Sequence, residues 1–315
     1  MYSKMPMHIP DGFLSIAVSG ILWVTSIIFI LIALKRVNRE LDERRLPLMG
    51  VMAAAIFAGQ MLNFAVAGGT SGHLLGAALA VILLGPWTAV LVMSSVVAVQ
   101  AVIFQDGGIL AMGANLFNMA VLGVAVAHFI FSMVMRIGKG KAWARITGSF
   151  AAGWFSIFVA SLAAGLQLAA SGTSPAYVAV PAMGGIHALI GIGEGLITTA
   201  AVGLILAAKP EILSPGKEKR ISSKGIWAIG MLFTLALLIL SPLASAHPDG
   251  LEWVAEELGF LDLAQDAAYQ IIPDYVMPGI HNEALATILA GIIGVLIVIG
   301  VLLAVSSRRR NSGTI

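Results

Sequence analysis

The 315-residue chain is 59% hydrophobic and 11% charged, with no cysteine and a formal net charge of +2, and its mean hydropathy is +0.96. Soluble domains carry about 25% charged residues, so a water-soluble globule is excluded and the bilayer must be the solvent. The missing thiols exclude disulfides and thiolate metal sites, leaving His, Met, carboxylate, amide and backbone donors.

Apolar runs of about 20 residues, enough to span hydrocarbon, predict helices over roughly 13–35, 47–66, 86–104, 109–136, 147–171, 180–208, 225–246 and 284–305. A shorter run at roughly 74–84, bounded by Gly72 and Gly85-Pro86, predicts a ninth, short or re-entrant, element. The first run is too long for a signal-peptide core and ends in a charged stop, so it reads as a retained helix. The expected fold class is therefore all-α, a polytopic transmembrane bundle of about nine helices.

Charge orients it. With nine spans and the N-terminus outside, the inside loops collect Lys35, Arg36, Arg39, Arg44, Arg45, Arg136, Lys139, Lys141, Arg145, Lys209, Lys217, Lys219, Arg220, Lys224 and Arg308 to Arg310, which is 17 of the 18 basic residues. Retained Lys and Arg set membrane orientation, so N-out and C-in is preferred to an eight-span alternative. The segment 209–224, with Pro210, Pro215 and Gly216, reads as a cytoplasmic linker between a seven-helix unit and a two-helix appendage.

The polar segments assigned to the outer face are Met7 to Gly12, Gly68 to His73, Gln105 to Gly108, 171–179 and 247–283. The last holds eight acids (Asp249, Glu252, Glu256, Glu257, Asp262, Asp266, Asp274 and Glu283) and neither Lys nor Arg. Such a face concentrates cations, although translocated loops also avoid basic residues for topological reasons alone. His8 and His73 lie beside glycines that allow close backbone approach, and two imidazoles suit Ni²⁺, Co²⁺, Cu²⁺ or Zn²⁺; two solvated side chains are the plainer alternative. His128 reads as a histidine bonded to a neighbouring helix. His187 and Glu194 are seven residues apart on one helix face, and Glu194 is the one acid inside a predicted span, hence either a functional carboxylate or a buried anchor with Asn63, Asn115 or Asn118 as partner. The glycines around it fit close helix packing better than a dinucleotide motif.

Met7-His8-Ile9-Pro10-Asp11-Gly12-Phe13-Leu14, the Gly68 to Leu74 stretch and Phe104-Gln105-Asp106-Gly107-Gly108 resemble the CbiM/NikM substrate-binding subunits of energy-coupling-factor nickel and cobalt transporters, over about the first 210 residues. His247-Pro248-Asp249-Gly250-Leu251-Glu252 is similar to the PDGLE-type domain of the small N subunit. The resemblance implies a fusion: a CbiM/NikM-like domain over 7–208, the linker, and an N-like domain over 225–310 with two helices and the acidic outer loop. It implies a metal held by the N-terminal amine of Met7, the backbone nitrogen and imidazole of His8, and His73, a nitrogen square suited to Ni²⁺. Asn63, Ser71, Gln105 and Asp106 are then the expected hydrogen-bond partners around it, with Glu194 anchoring loops or moving with transport. Met7 is preceded by six residues, so the amine ligand requires translation to start at Met7, or removal of the hexapeptide.

No G-x-x-x-x-G-K-[ST] motif occurs, so energy is expected from partners: an integral coupling (T/Q-type) subunit and cytoplasmic ATPase subunits contacted through 35–46 and 136–146. The chain is expected to be non-catalytic, with no permanently bound cofactor and no nucleic-acid partner, in the cell (inner) membrane, importing Ni²⁺ in preference to Co²⁺. The rivals are an intramembrane metalloenzyme, for which H-E-x-x-H is missing, and a proton-coupled secondary carrier using Glu194.

Overall fold

A computed structural model describes residues 7–40, 46–208 and 223–311. The expected linker lies outside these residues except for its last two, as do the residues before Met7.

Among the described residues the chain is a helical bundle. Its elements are α1 (Ile16–Glu40), α2 (Leu46–Gln60), a hairpin of β1 (Phe64–Val66) and β2 (Thr70–Gly72), α3 (Ala77–Leu84), α4 (Pro86–Ile103), α5 (Met112–Asn115), a π-helical stretch Leu116–Leu122, α6 (Gly123–Ile137), α7 (Ala142–Ala170), α8 (Ala176–Ala208), α9 (Ser223–Leu240), α10 (Gly250–Glu257) and α11 (Glu283–Asn311). Among the described residues, six helices are long and apolar enough to cross a membrane: α1, α4, the continuous Met112–Ile137, α7, α8 and α11. α2 and the helix over Trp227–Leu243 are shorter apolar helices, and α3 has eight residues, about 12 Å of rise. The polytopic helical architecture is thus as the hydropathy predicts.

Two boundaries differ from expectation. The run at 47–66 is not one helix, because α2 stops at Gln60 and Phe64–Val66 finds a strand partner in Thr70–Gly72, in antiparallel register Phe64↔Gly72. The connection uses Gly68 and Gly69 at φ +91° and +79°, values that side-chain-bearing residues rarely adopt. The run at 109–136 becomes helical only at Met112 and contains the π-helical stretch, where Asn118 and Gln167 of α7 exchange amide hydrogen bonds of 2.8 and 2.7 Å. In hydrocarbon a buried amide needs such a partner.

α2, α3 and α4 form the middle of the bundle, with Ile56, Phe57, Val92 and Met93 fully buried. α1, α6 and α8 turn Ile21, Leu31, Phe129 and Leu196 outward, as lipid-facing helices do. α7 and α8 pack so closely that Gly153 meets the backbone at Gly195, and Gly165 meets that at Val180, the small-residue contact used where two apolar helices have no hydrophobic reason to associate. α9 and α11 pack on α2. The alternation of helices gathers residues 7–15, 61–76, 104–111, 171–175 and 241–282 at one end of the bundle.

Candidate metal site

At that end the N-terminal segment is held along nearly its whole length. The His8 N–H donates to Asp106 Oδ1 at 3.3 Å, and His8 Nδ1 lies 3.2 Å from the Asp106 carbonyl and 3.3 Å from Oδ1. Asn115 brackets Ile9, accepting its N–H and donating to its carbonyl, each at 3.1 Å. Gly108 N–H donates to the Ile9 carbonyl, and Ala111 N–H to Asp11 Oδ1 at 2.9 Å. The string Met7 to Leu14 therefore encodes one bound loop, with Ile9 and Phe13 in the core and Met7 half-buried against it.

His73 follows β2 directly, and its ring meets that of His8 edge-on with centroids 5.4 Å apart. Its Nδ1 donates to the Leu74 carbonyl at 3.1 Å, an arrangement that leaves Nε2 unprotonated and free to act as a ligand. His8 Nε2 is buried with no hydrogen-bond partner among the described residues. From α8, the Glu194 carboxylate accepts the Leu75 and Gly76 N–H groups at 2.7 and 3.0 Å, which fixes the chain just after His73.

The segment between α9 and α11 covers this site. Pro248 and His247 accept from Ser71: the Ser71 N–H donates to the Pro248 carbonyl at 2.7 Å and its hydroxyl to the His247 carbonyl at 2.9 Å. Gln265 N–H donates to the Asp11 carbonyl at 2.8 Å, and Ile272 and Asp274 N–H groups donate to the carbonyls of Ile103 and Phe104. The Tyr275 hydroxyl donates to Asp106 Oδ2 at 2.5 Å. Asp249 caps α10 by accepting the Glu252 N–H at 2.8 Å, and Gly250 has no room for a side chain because a Cβ there would lie 2.9 Å from His187 Cε1. Each of the three loops is tied to the covering segment, and His8 is 4% exposed.

Charge follows from this burial. Burial pulls the His8 imidazolium down, and the Asp106 carboxylate outweighs it, leaving His8 above its ordinary value. Burial, then the neighbouring His8 charge, lowers His73 to about 4, so it is neutral near pH 7. Asp106 resists its burial through the His8 charge and hydrogen bond and the Tyr275 hydroxyl, and falls to about 2. Burial raises Asp249 to about 8, outweighing the Glu252 N–H bond and a weaker pull from the His8 charge.

The predicted residues thus separate. His8, His73, Asp106 and Met7 share one place, and Glu194 braces the loop beneath it. Ser71 faces the outer segment, not the histidines. Gln105 Oε1 accepts the Ile271 N–H at 3.3 Å while its amide returns to Val102 and Ile103, and the Asn63 side-chain oxygen is buried without a partner while its backbone carbonyl accepts from Ser245. Asn115 and Asn118 are not Glu194 partners; they serve Ile9 and Gln167. His187 Nδ1 bonds the Met183 carbonyl at 2.8 Å and borders Gly250. The sequence reading did not single out Tyr275 or Gln60, since one tyrosine in an acidic loop and one glutamine at a helix end carry no pattern. Among the described residues no group of three or more His, Asp or Glu side chains could hold a metal by itself.

The profile of cobalt uptake substrate-specific transmembrane regions matches residues 8–212, and that of the PDGLE domain matches 224–310. A putative fused nickel transport protein NikMN from Archaeoglobus fulgidus is 37% identical over 314 residues, covering 97% of this chain and all of its own. A fused nickel transport protein NikMN from Rhodobacter capsulatus is 31% identical across 96% of this chain and 98% of its own. A cobalt transport protein CbiM from Sorangium cellulosum is 29% identical across 66% of this chain and 94% of its own. The crystal structure of a truncated transition metal transporter superposes with a TM-score of 0.57 at 32% identity, covering 64% of this chain and 98% of that one.

Proposed function

This chain belongs to the family of cobalt uptake substrate-specific transmembrane regions, and from that membership we propose that it captures Ni²⁺, in preference to Co²⁺, as the substrate-binding subunit of an ATP-driven energy-coupling-factor importer. The observation that carries the reading is the edge-on meeting of the His8 and His73 rings at the covered end of the bundle, with the His8 N–H and Nδ1 both turned to Asp106. Metal capture is then by Met7 amine, His8 amide and imidazole, and His73. Fused chelate rings through the His8 amide close on its Nδ1, and both nitrogens now face Asp106 Oδ1 at 3.3 Å. Loading on this reading replaces the protons on these two nitrogens, released to solvent, with two metal–nitrogen bonds, and the Asp106 carboxylate stays as counter-charge. The amine ligand requires a mature chain beginning at Met7; N-terminal sequencing checks this.

The site end faces outward on this reading, and residues 7–208 and 225–310 act as a metal-binding domain and an access-controlling domain joined by the 209–224 linker. The Tyr275–Asp106 and Ser71–Pro248 bonds support a role for the second in admitting metal. The proton-coupled carrier has less support, because both Glu194 oxygens are committed to loop N–H groups. Uptake of labelled Ni²⁺ in cells with and without the coupling and ATPase subunits tests the assignment. Uptake that needs them supports the shared importer; undiminished uptake without them contradicts it.

A further inference from the structure

The segment joining His73 to α3 is held from both sides by side chains of two other helices. Gln60, the last residue of α2, donates from Nε2 to the Leu75 carbonyl at 2.9 Å, while Glu194 of α8 accepts the N–H of the same residue at 2.7 Å and that of Gly76 at 3.0 Å. Both side chains are fully buried. Among the described residues the Glu194 carboxylate has these two N–H groups as its hydrogen-bond donors, at the start of α3, where a helix dipole favours negative charge. The Leu74 carbonyl, which accepts from His73 Nδ1, belongs to the same peptide group as the Leu75 N–H held by Glu194, so the peptide that orients the imidazole is itself clamped. A buried carboxylate is an expensive way to hold a loop. An amide at 194 could offer one oxygen, and its NH₂ would oppose the second N–H donor.

We propose that Gln60 and Glu194 are positioning residues that clamp the Leu75 and Gly76 backbone, thereby setting the His73 imidazole for metal and tying the loaded site to α2 and α8. The inference rests on His73 being a metal ligand. It gives α2, on which α9 and α11 pack, and α8 a common attachment to the metal loop, and it assigns Glu194 a mechanical rather than a proton-carrying role.

The test is a set of Ni²⁺ titrations on the purified full chain starting at Met7, comparing Glu194→Gln and Gln60→Leu in the parent and in His73→Ala, with monodispersity on size exclusion as the folding control. Losing a ligand's hydrogen-bonded support typically weakens metal affinity about 10- to 100-fold. The expected result is at least a tenfold loss for each variant with His73 present and no more than a twofold further loss in the His73→Ala background, the non-additivity of residues acting through one another. Unchanged affinity in both variants with His73 present, or equal losses in both backgrounds, overturns the clamp while leaving His73 as a ligand. A His73→Ala chain that binds as tightly as the parent instead overturns the ligand assignment on which the clamp rests. Should Glu194→Gln not fold, Gln60→Leu decides alone, since Leu is close in volume and removes an amide whose one hydrogen bond among the described residues is the donation to Leu75, its oxygen having no partner there.

Discussion

His8 and His73 touch, yet their surroundings give them different charge. His73, lowered to about 4 by burial and by its neighbour, offers a lone pair at every pH above that. His8 is held above its ordinary value by Asp106, so on acidification it takes a proton before His73 does. Because a proton and a metal compete for the same nitrogen, Ni²⁺ affinity should fall as pH drops from about 8 to 6, with proton release on binding measured by calorimetry in two buffers; a flat profile there contradicts His8 as ligand. Tyr275→Phe removes the outer segment's bond to Asp106 and should lower stability by about 1–3 kcal/mol, read as a lower Tm. The histidines and Asp106 were legible as residues in unusual strings. Their convergence was not, because contacts between residues 98 positions apart leave no periodicity to read. Gln60 and Tyr275 were illegible for the same reason.

At the scale of elements, hydropathy identified the helices well because a bilayer demands length and apolarity of each span. It misread 47–66, where apolar Phe64, Ala65 and Val66 serve a strand: three-residue strands are too short to show alternation. The α10 turn is the element whose chemistry is most exposed to test. Asp249 is raised to about 8, so its burial is tolerated while it is neutral, and folded stability is lost progressively as pH climbs from its unfolded value near 4 through 8. Asp249→Asn keeps the cap on Glu252 N–H without a charge. It should match the wild-type Tm near pH 4 and exceed it increasingly towards pH 8; a variant that is less stable at pH 8 contradicts this account. Gly250→Val should lift α10 off α8, because no Cβ fits between Ile190 and His187, and hydrogen exchange across 245–265 should rise while that of α4 stays unchanged.

For the whole molecule, the second module reaches over the first rather than beside it, with backbone bonds from 245–276 to all three loops around His8 and His73. Access to a site so covered requires the outer segment to move, so deletion of residues 221–315 should alter uptake; unaltered uptake contradicts a controlling role. The fusion was legible in the sequence from two separate motifs. The way the second module covers the first was not, since acidic composition says only that cations are welcome. The most direct test is equilibrium binding of Ni²⁺, Co²⁺ and Zn²⁺ to the purified chain beginning at Met7, repeated with His8→Ala and His73→Ala. The account predicts tightest binding of Ni²⁺, at one ion per chain, and a marked loss with either substitution; binding that neither substitution weakens would contradict it.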